Sequence, residues 1–316
     1  MENDNGNLPE KPPEQDQNDN SNIKPVISPI AAAFIGLFGG FILYQVVGGI
    51  LTLLVFGMDI NHAPVNQYRL MTAAGQILFI LLPALLFSKW FYNDVGKIIR
   101  IRMPSWQEVL LFLIGIAILS PLLQNLLYIQ NYVLNSLASS SSFFNSVRSS
   151  MDKLDSLVQS AYVNLLQSNN FFEKILIVAV VAIVPAFCEE TMFRGFIQRS
   201  FEMKMKPFWA ALITAVFFGL YHFSPYGLIA LVCLGFFFGF AAYTSETLVI
   251  PIILHFANNF IAVIMYFMYG NEELTNNPTI SKAELIPTLG MLIGLTIVFF
   301  FLIYFIKRYY SKLKKA

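Results

Sequence analysis

The chain has 316 residues, of which 56% are hydrophobic and only 12% charged, about half the charged share of an ordinary soluble domain. A formal net charge of +1 points to no partner class. The basic residues flank apolar runs instead of sharing a soluble face, which argues against nucleic acid. The two cysteines, Cys188 and Cys233, lie inside apolar runs and build neither a disulfide framework nor a CxxC metal motif.

Residues 1–27 are polar, acidic and without apolar period, and read as a disordered cytoplasmic tail. Next come unbroken apolar blocks, not ~10-residue alternating segments, so the spans are helices and not barrel strands. A helix needs ~20 mostly apolar residues to cross the ~30 Å hydrocarbon core. Eight blocks qualify, at about 28–57, 70–88, 109–130, 171–198, 208–223, 227–244, 247–268 and 288–306. The first is too long for a signal-peptide h-region and follows an acidic stretch, so it reads as a span. The segment 132–170 opens Ser-rich and then places Leu154, Leu157, Val158, Tyr162, Leu165 and Leu166 at helical spacing. It reads as an exterior amphipathic helix, lying at the membrane surface or packed over the bundle.

Eight spans put both termini on one side. Fourteen Lys and Arg then fall on that side and five on the other, with Arg194 inside a span. The positive-inside rule makes that side the cytoplasm. The fold expected is an all-α membrane protein, eight transmembrane helices packed as a bundle around an intramembrane polar cavity, multi-pass in the cell membrane.

The ionisable groups inside the apolar blocks are concentrated. Spans four, five and seven carry Glu189, Glu190, Arg194, His222 and His255, with Asn258 and Asn259 beside the last. Charge inside a bilayer is costly and marks function. At 1.5 Å per residue, Glu189, His255, Asn259 and His222 sit roughly 14, 12, 18 and 21 Å from the cytoplasmic side, which suits one shared cavity. Glu190 and Arg194, four apart, share a face and can cancel charge. Glu189 is rotated about 100° away with no cation on its own helix, and is left for chemistry. His255 shares a face with Asn259, and Phe218 with His222. Such a set suits peptide hydrolysis. A carboxylate in apolar surroundings serves as base and acid, imidazole shares that work or holds a metal, and a carboxamide donates to an oxyanion. Glu189, His222 and His255 also make a three-ligand Zn2+ set with an open position, although no HExxH is present. Gly235 and Gly239 form a GxxxG suited to helix packing.

These residues form three motifs in order: Glu189-Glu190-Thr-Met-Phe-Arg194, Phe218-Gly-Leu-Tyr-His222 and His255-Phe-Ala-Asn-Asn259. In that order, on successive polar spans, they resemble the CPBP family, which contains the CAAX prenyl proteases of the Rce1 type and bacteriocin-processing enzymes and is also called the Abi family. The resemblance covers residues 171–268. It implies an intramembrane endopeptidase in which Glu189 with His222 activates water, His255 and Asn259 line the site and form the oxyanion hole, and Glu190 and Arg194 support the motif helix. The family is commonly classed as metalloproteases, while a metal-free glutamate mechanism is also argued; zinc and no metal both stay open. The chain then divides into the tail 1–27, N-terminal helices with the exterior segment 28–170, a catalytic core 171–268, and a last helix with a basic cytoplasmic tail 269–316. The expected partners are the bilayer and a peptide or membrane-protein substrate, prenylated substrates included. Two other classes compete: a proton-coupled transporter using Glu189 and the histidines as a relay, and a non-catalytic immunity or scaffold protein. A transporter would be expected to repeat its polar sites in both halves, and the motif residues of a scaffold would be expected to have eroded.

Overall fold

A computed structural model describes residues 23–57, 63–270 and 279–314. The tail reading therefore falls, for residues 1–22, outside the described residues, as do His62 and Lys315. Residues 23–28 are non-helical, and the Val26 amide donates to the Phe91 carbonyl at 2.8 Å. Among the described residues every regular element is helical. Seven helices are long and apolar enough to cross a membrane: α1 (Pro29–Phe56), α2 (Val65–Tyr92), α4 (Trp106–Ser140), α6 (Phe171–Glu202), α8 (Leu228–Ser245), α9 (Val249–Tyr269) and α10 (Lys282–Leu313). Short α3 (Val95–Ile99) links α2 to α4, and α5 (Ser142–Leu166) follows α4.

The remaining expected span, 208–223, is the shorter apolar helix α7 (Pro207–Leu220). Its 14 residues reach about 21 Å at 1.5 Å each, less than the ~30 Å core. The chain turns at Tyr221 and His222, Phe223 takes φ +50°, and Pro225 follows. A bulky residue at positive φ is held there by its surroundings. Here Gln45 Nε2 donates to the Tyr221 carbonyl at 2.9 Å, and the Tyr221 hydroxyl donates to the Leu37 carbonyl. The turn is pinned to α1, and α7 packs back to back with α8.

Several helices carry wider π turns. Those at Ile77–Leu81 and Ala179–Ile183 run just ahead of Pro83 and Pro185. Proline has no N–H for the carbonyl one turn back and its ring crowds that carbonyl, so the helix widens there. Another π turn, Thr191–Ile197, lies inside the EExxxR motif, and one at Ile42–Gly48 interrupts α1.

The core gathers around α6, where every residue from Glu190 to Gln198 is buried. α1, α2, α7, α8 and α9 all touch α6. By contrast, α10 lies along α4 with most of its apolar surface uncovered. α5 has its amphipathicity turned outward. Asp155 is 8% exposed while Leu157 is 69% exposed, the orientation of a helix whose apolar side meets lipid and not a protein core. Arg69, read above as an exterior-loop residue, is buried in α2 and donates to the Leu165 and Gln167 carbonyls at the end of α5. At the other end of α4, Arg102 binds both oxygens of Glu108 at 3.1 and 2.6 Å and the Ser245 carbonyl at 2.8 Å, and Tyr310 of α10 donates to Glu108 at 2.7 Å.

Candidate active site

The EExxxR turn places its two carboxylates differently. Glu190 is wholly buried and its Oε1 accepts from Arg194 Nη1 at 2.8 Å. The same oxygen lies 2.7 Å from His255 Nδ1 on α9. One carboxylate thus ties the arginine of its own helix to the histidine of another. The sequence offered Glu190 to Arg194 alone; no local spacing pairs residues 65 apart. Arg194 also donates to the Gly235 carbonyl at 2.9 Å and packs over the Phe218 ring, 4.4 Å from its centroid. A guanidinium on an aromatic face gains cation–π attraction, and its charge is balanced by Glu190. The bond to Glu190 requires a proton on His255 Nδ1, so in the neutral ring Nε2 is the acceptor. His255 is stacked on Phe238 and edge-on to Phe218, which fixes the ring plane.

The GxxxG pair serves this wall. Gly235 and Gly239 present carbonyls one turn apart to Arg194 and Gln198, with Gln198 Nε2 donating to Gly239 at 3.0 Å. A Cβ on Gly235 would come within 2.9 Å of the Phe218 ring and 3.1 Å of Arg194 Nη2. Close packing is what the motif suggested; the buried side-chain bonds to its carbonyls were not readable from it.

His222 stands just past the end of α7. Its Nδ1 contacts the Phe218 carbonyl at 2.7 Å and its ring lies 4.7 Å from that of Phe218. The carbonyl can only accept, so Nδ1 carries the proton and Nε2 is again the acceptor. Phe218 therefore touches both histidines and the arginine. Asn259 Nδ2 donates to the Val181 carbonyl of α6 at 3.0 Å, and Asn258 donates to Asn259 Oδ1 at 3.2 Å. Asn259 retains one N–H for another acceptor.

Glu189 is half-buried and, among the described residues, makes no side-chain hydrogen bond or ion pair. It lies within electrostatic reach of Tyr44 on α1, Tyr162 on α5 and Arg194. The expected site residues thus come together as a chain of contacts, Arg194–Glu190–His255 with Phe218 and His222 beside it. Missed were Tyr44, Gln45 and Gln76: polar groups in the first two apolar blocks were the available signal.

The two acceptor Nε2 atoms have the tautomer a divalent metal requires. Their positions do not match it. Among the described residues no group of three His, Cys, Asp or Glu side chains converges as a metal site, so Glu189, His222 and His255 as placed do not fit a zinc ion. Beside this site, an apolar cavity of about 440 Å³ opens between α1 and the α7–α8 turn, lined by Phe38, Phe41, Leu154, Phe217, Phe223 and Leu228 among others.

Residues 171–261 match the model of the family described as type II CAAX prenyl endopeptidase Rce1-like. The interval contains all three motifs. No curated protein and no solved structure matched the chain.

Proposed function

From the premise that residues 171–261 are an Rce1-like domain, we propose that this protein is an intramembrane endopeptidase of the CAAX-protease type, which hydrolyses a peptide bond of a membrane-associated or lipidated substrate near the cytoplasmic face. The observation that carries the reading is the contrast at positions 189 and 190. Glu190 is consumed by Arg194 and His255, whereas Glu189 is half-exposed and unbonded. An unneutralised carboxylate in a membrane bundle is costly unless it works.

The chemistry follows from the groups present. Glu189, with the His222 Nε2 acceptor, takes a proton from water. The water oxygen attacks the scissile carbonyl carbon, and the remaining N–H of Asn259 donates to the oxyanion. The proton then passes to the leaving nitrogen as the C–N bond breaks, giving a carboxylate and an amine. His255 contributes an N–H to the oxyanion only when Nε2 is also protonated; Glu190, at its Nδ1, stabilises that charged ring. No step is routed through a metal. We expect the purified protein to keep its activity after exhaustive chelation. Loss of activity that returns on adding zinc would overturn the metal-free scheme.

The topology belongs to the same proposal. Eight membrane-embedded segments, α7 included, surround the polar groups, with both termini cytoplasmic. The orientation is the same if α7 and α8 form a hairpin that returns to the side it left. Cysteines placed near Lys97 and Lys204 should resist labelling from outside, and one at Ser141 should react. For the activity, reconstituted protein is offered a farnesylated CAAX peptide, and Glu189→Gln is used to trap substrates from native membranes. Cleavage by Glu189→Gln at the native rate would refute the assignment.

A further inference from the structure

This inference rests on Glu189 as the base. A carboxylate held half-buried in low dielectric needs donors. The cation on its own helix, Arg194, is committed to Glu190. The hydroxyls in electrostatic reach come from outside residues 171–261: Tyr44 and Tyr162. Tyr162 is 47% exposed on α5. Tyr44 is partly buried and packs against the central core. It sits in the π turn Ile42–Gly48 of α1, and π turns of this kind recur at functional sites. With Gln45, Met192, Phe193 and Tyr221 it lines a narrow cavity between α1 and α6.

Behind Tyr44 stands Gln76 of α2, 6% exposed, its carboxamide within hydrogen-bonding reach of the Tyr44 hydroxyl. The Gln76 Oε1 is buried and without a hydrogen-bond partner. The amide N–H side is therefore the one given to the phenol. A phenol oxygen that accepts from Gln76 keeps its single proton for another acceptor. α2 packs directly against the turn that bears Glu189.

The geometry points to Tyr44, backed by Gln76, as a positioning residue that donates its O–H to the Glu189 carboxylate and leaves the second carboxylate oxygen for the water. The first two helices then belong to the site, and the 171–261 domain alone is incomplete.

Infrared difference spectra of the full chain in lipid nanodiscs test this without a substrate. Native minus Glu189→Gln isolates the Glu189 carboxyl bands. Tyr44→Phe, taken against its own Glu189→Gln control, should shift those bands; Tyr162→Phe should leave them in place, and Gln76→Leu should shift them by less. Bands unmoved by Tyr44→Phe in folded protein, or moved by Tyr162→Phe alone, overturn the inference. With the farnesylated peptide, Tyr44→Phe should lower kcat roughly tenfold, the scale of one hydrogen bond, with KM unchanged, and should add no further loss to Glu189→Asp. Failure of the native protein to cut the peptide counts against the proposed activity, while the spectra still decide the role of Tyr44.

Discussion

Helices α6 and α10 are each 32 residues long and almost equally apolar, yet about a third of the apolar window of α6 is buried and only 6% of that of α10. The sequence difference is what each helix carries within its apolar stretch. α6 holds Glu189, Glu190, Arg194 and Gln198, which must find partners away from lipid, and other helices are drawn in to supply them: α8 with two carbonyls, α9 with His255 and α1 with Tyr44. α10 holds no such group between Glu284 and Lys307 and is left beside α4. In a bilayer apolarity alone does not separate centre from rim, since lipid tails are as apolar as leucine. Polar obligation does.

The strongest way to break this contrast is at Glu189. Glu189→Gln should cut peptidase activity by about 10²–10⁴-fold, the usual worth of a general base, with no loss of folded protein by size-exclusion chromatography. A large stability loss instead would make Glu189 a packing residue like its neighbour. The next effect is expected at Glu190. Glu190→Gln leaves Arg194 without its counter-charge and weakens the hold on His255, at a cost of about 3–5 kcal/mol in unfolding titrations in mixed micelles. Replacing the pair together, as Glu190→Leu with Arg194→Met, should cost less stability than Glu190→Gln alone and still abolish activity.

The finest comparison uses one substitution in both regions. Gly235→Ala drives a methyl into the Phe218 ring and Arg194, and overpacking of this kind costs about 1–3 kcal/mol. At Gly290 and Gly294 in α10 a Cβ would meet nothing within 4 Å. Alanine there should stabilise by roughly 0.5–1 kcal/mol through helix propensity. If Gly294→Ala destabilises as Gly235→Ala does, α10 is packed against something in the membrane and the contrast fails.

Most of the helices were legible because uninterrupted apolar runs have one reading in a membrane, and the Glu190–Arg194 pair because i,i+4 neighbours meet on any helix. Three things were not. The end of α7 depends on Tyr221 being held by Leu37 and Gln45 of α1, contacts that no local pattern announces. The bond between Glu190 and His255 joins separate helices whose relative rotation is set by packing. Tyr44 and Gln76 looked like ordinary amphipathic residues in apolar blocks, since neither carries a charge. The outward face of α5 was half legible: its period predicted a helix, but only the burial of Asp155 and the exposure of Leu157 show which side meets the protein.

The shortness of α7 has a consequence for the surrounding membrane. A helix of about 21 Å that ends in a polar turn leaves the hydrocarbon above it without a full-length wall, and lipids beside a short hydrophobic segment thin to match it at a modest cost per ångström. His222 stands at that level. Bilayer thickness thereby becomes a variable of the site: short-chain lipids bring the headgroup plane, and with it water, down toward the α7–α8 turn, and long-chain lipids lift it away. Turnover measured across vesicles of graded acyl-chain length should fall as the bilayer thickens.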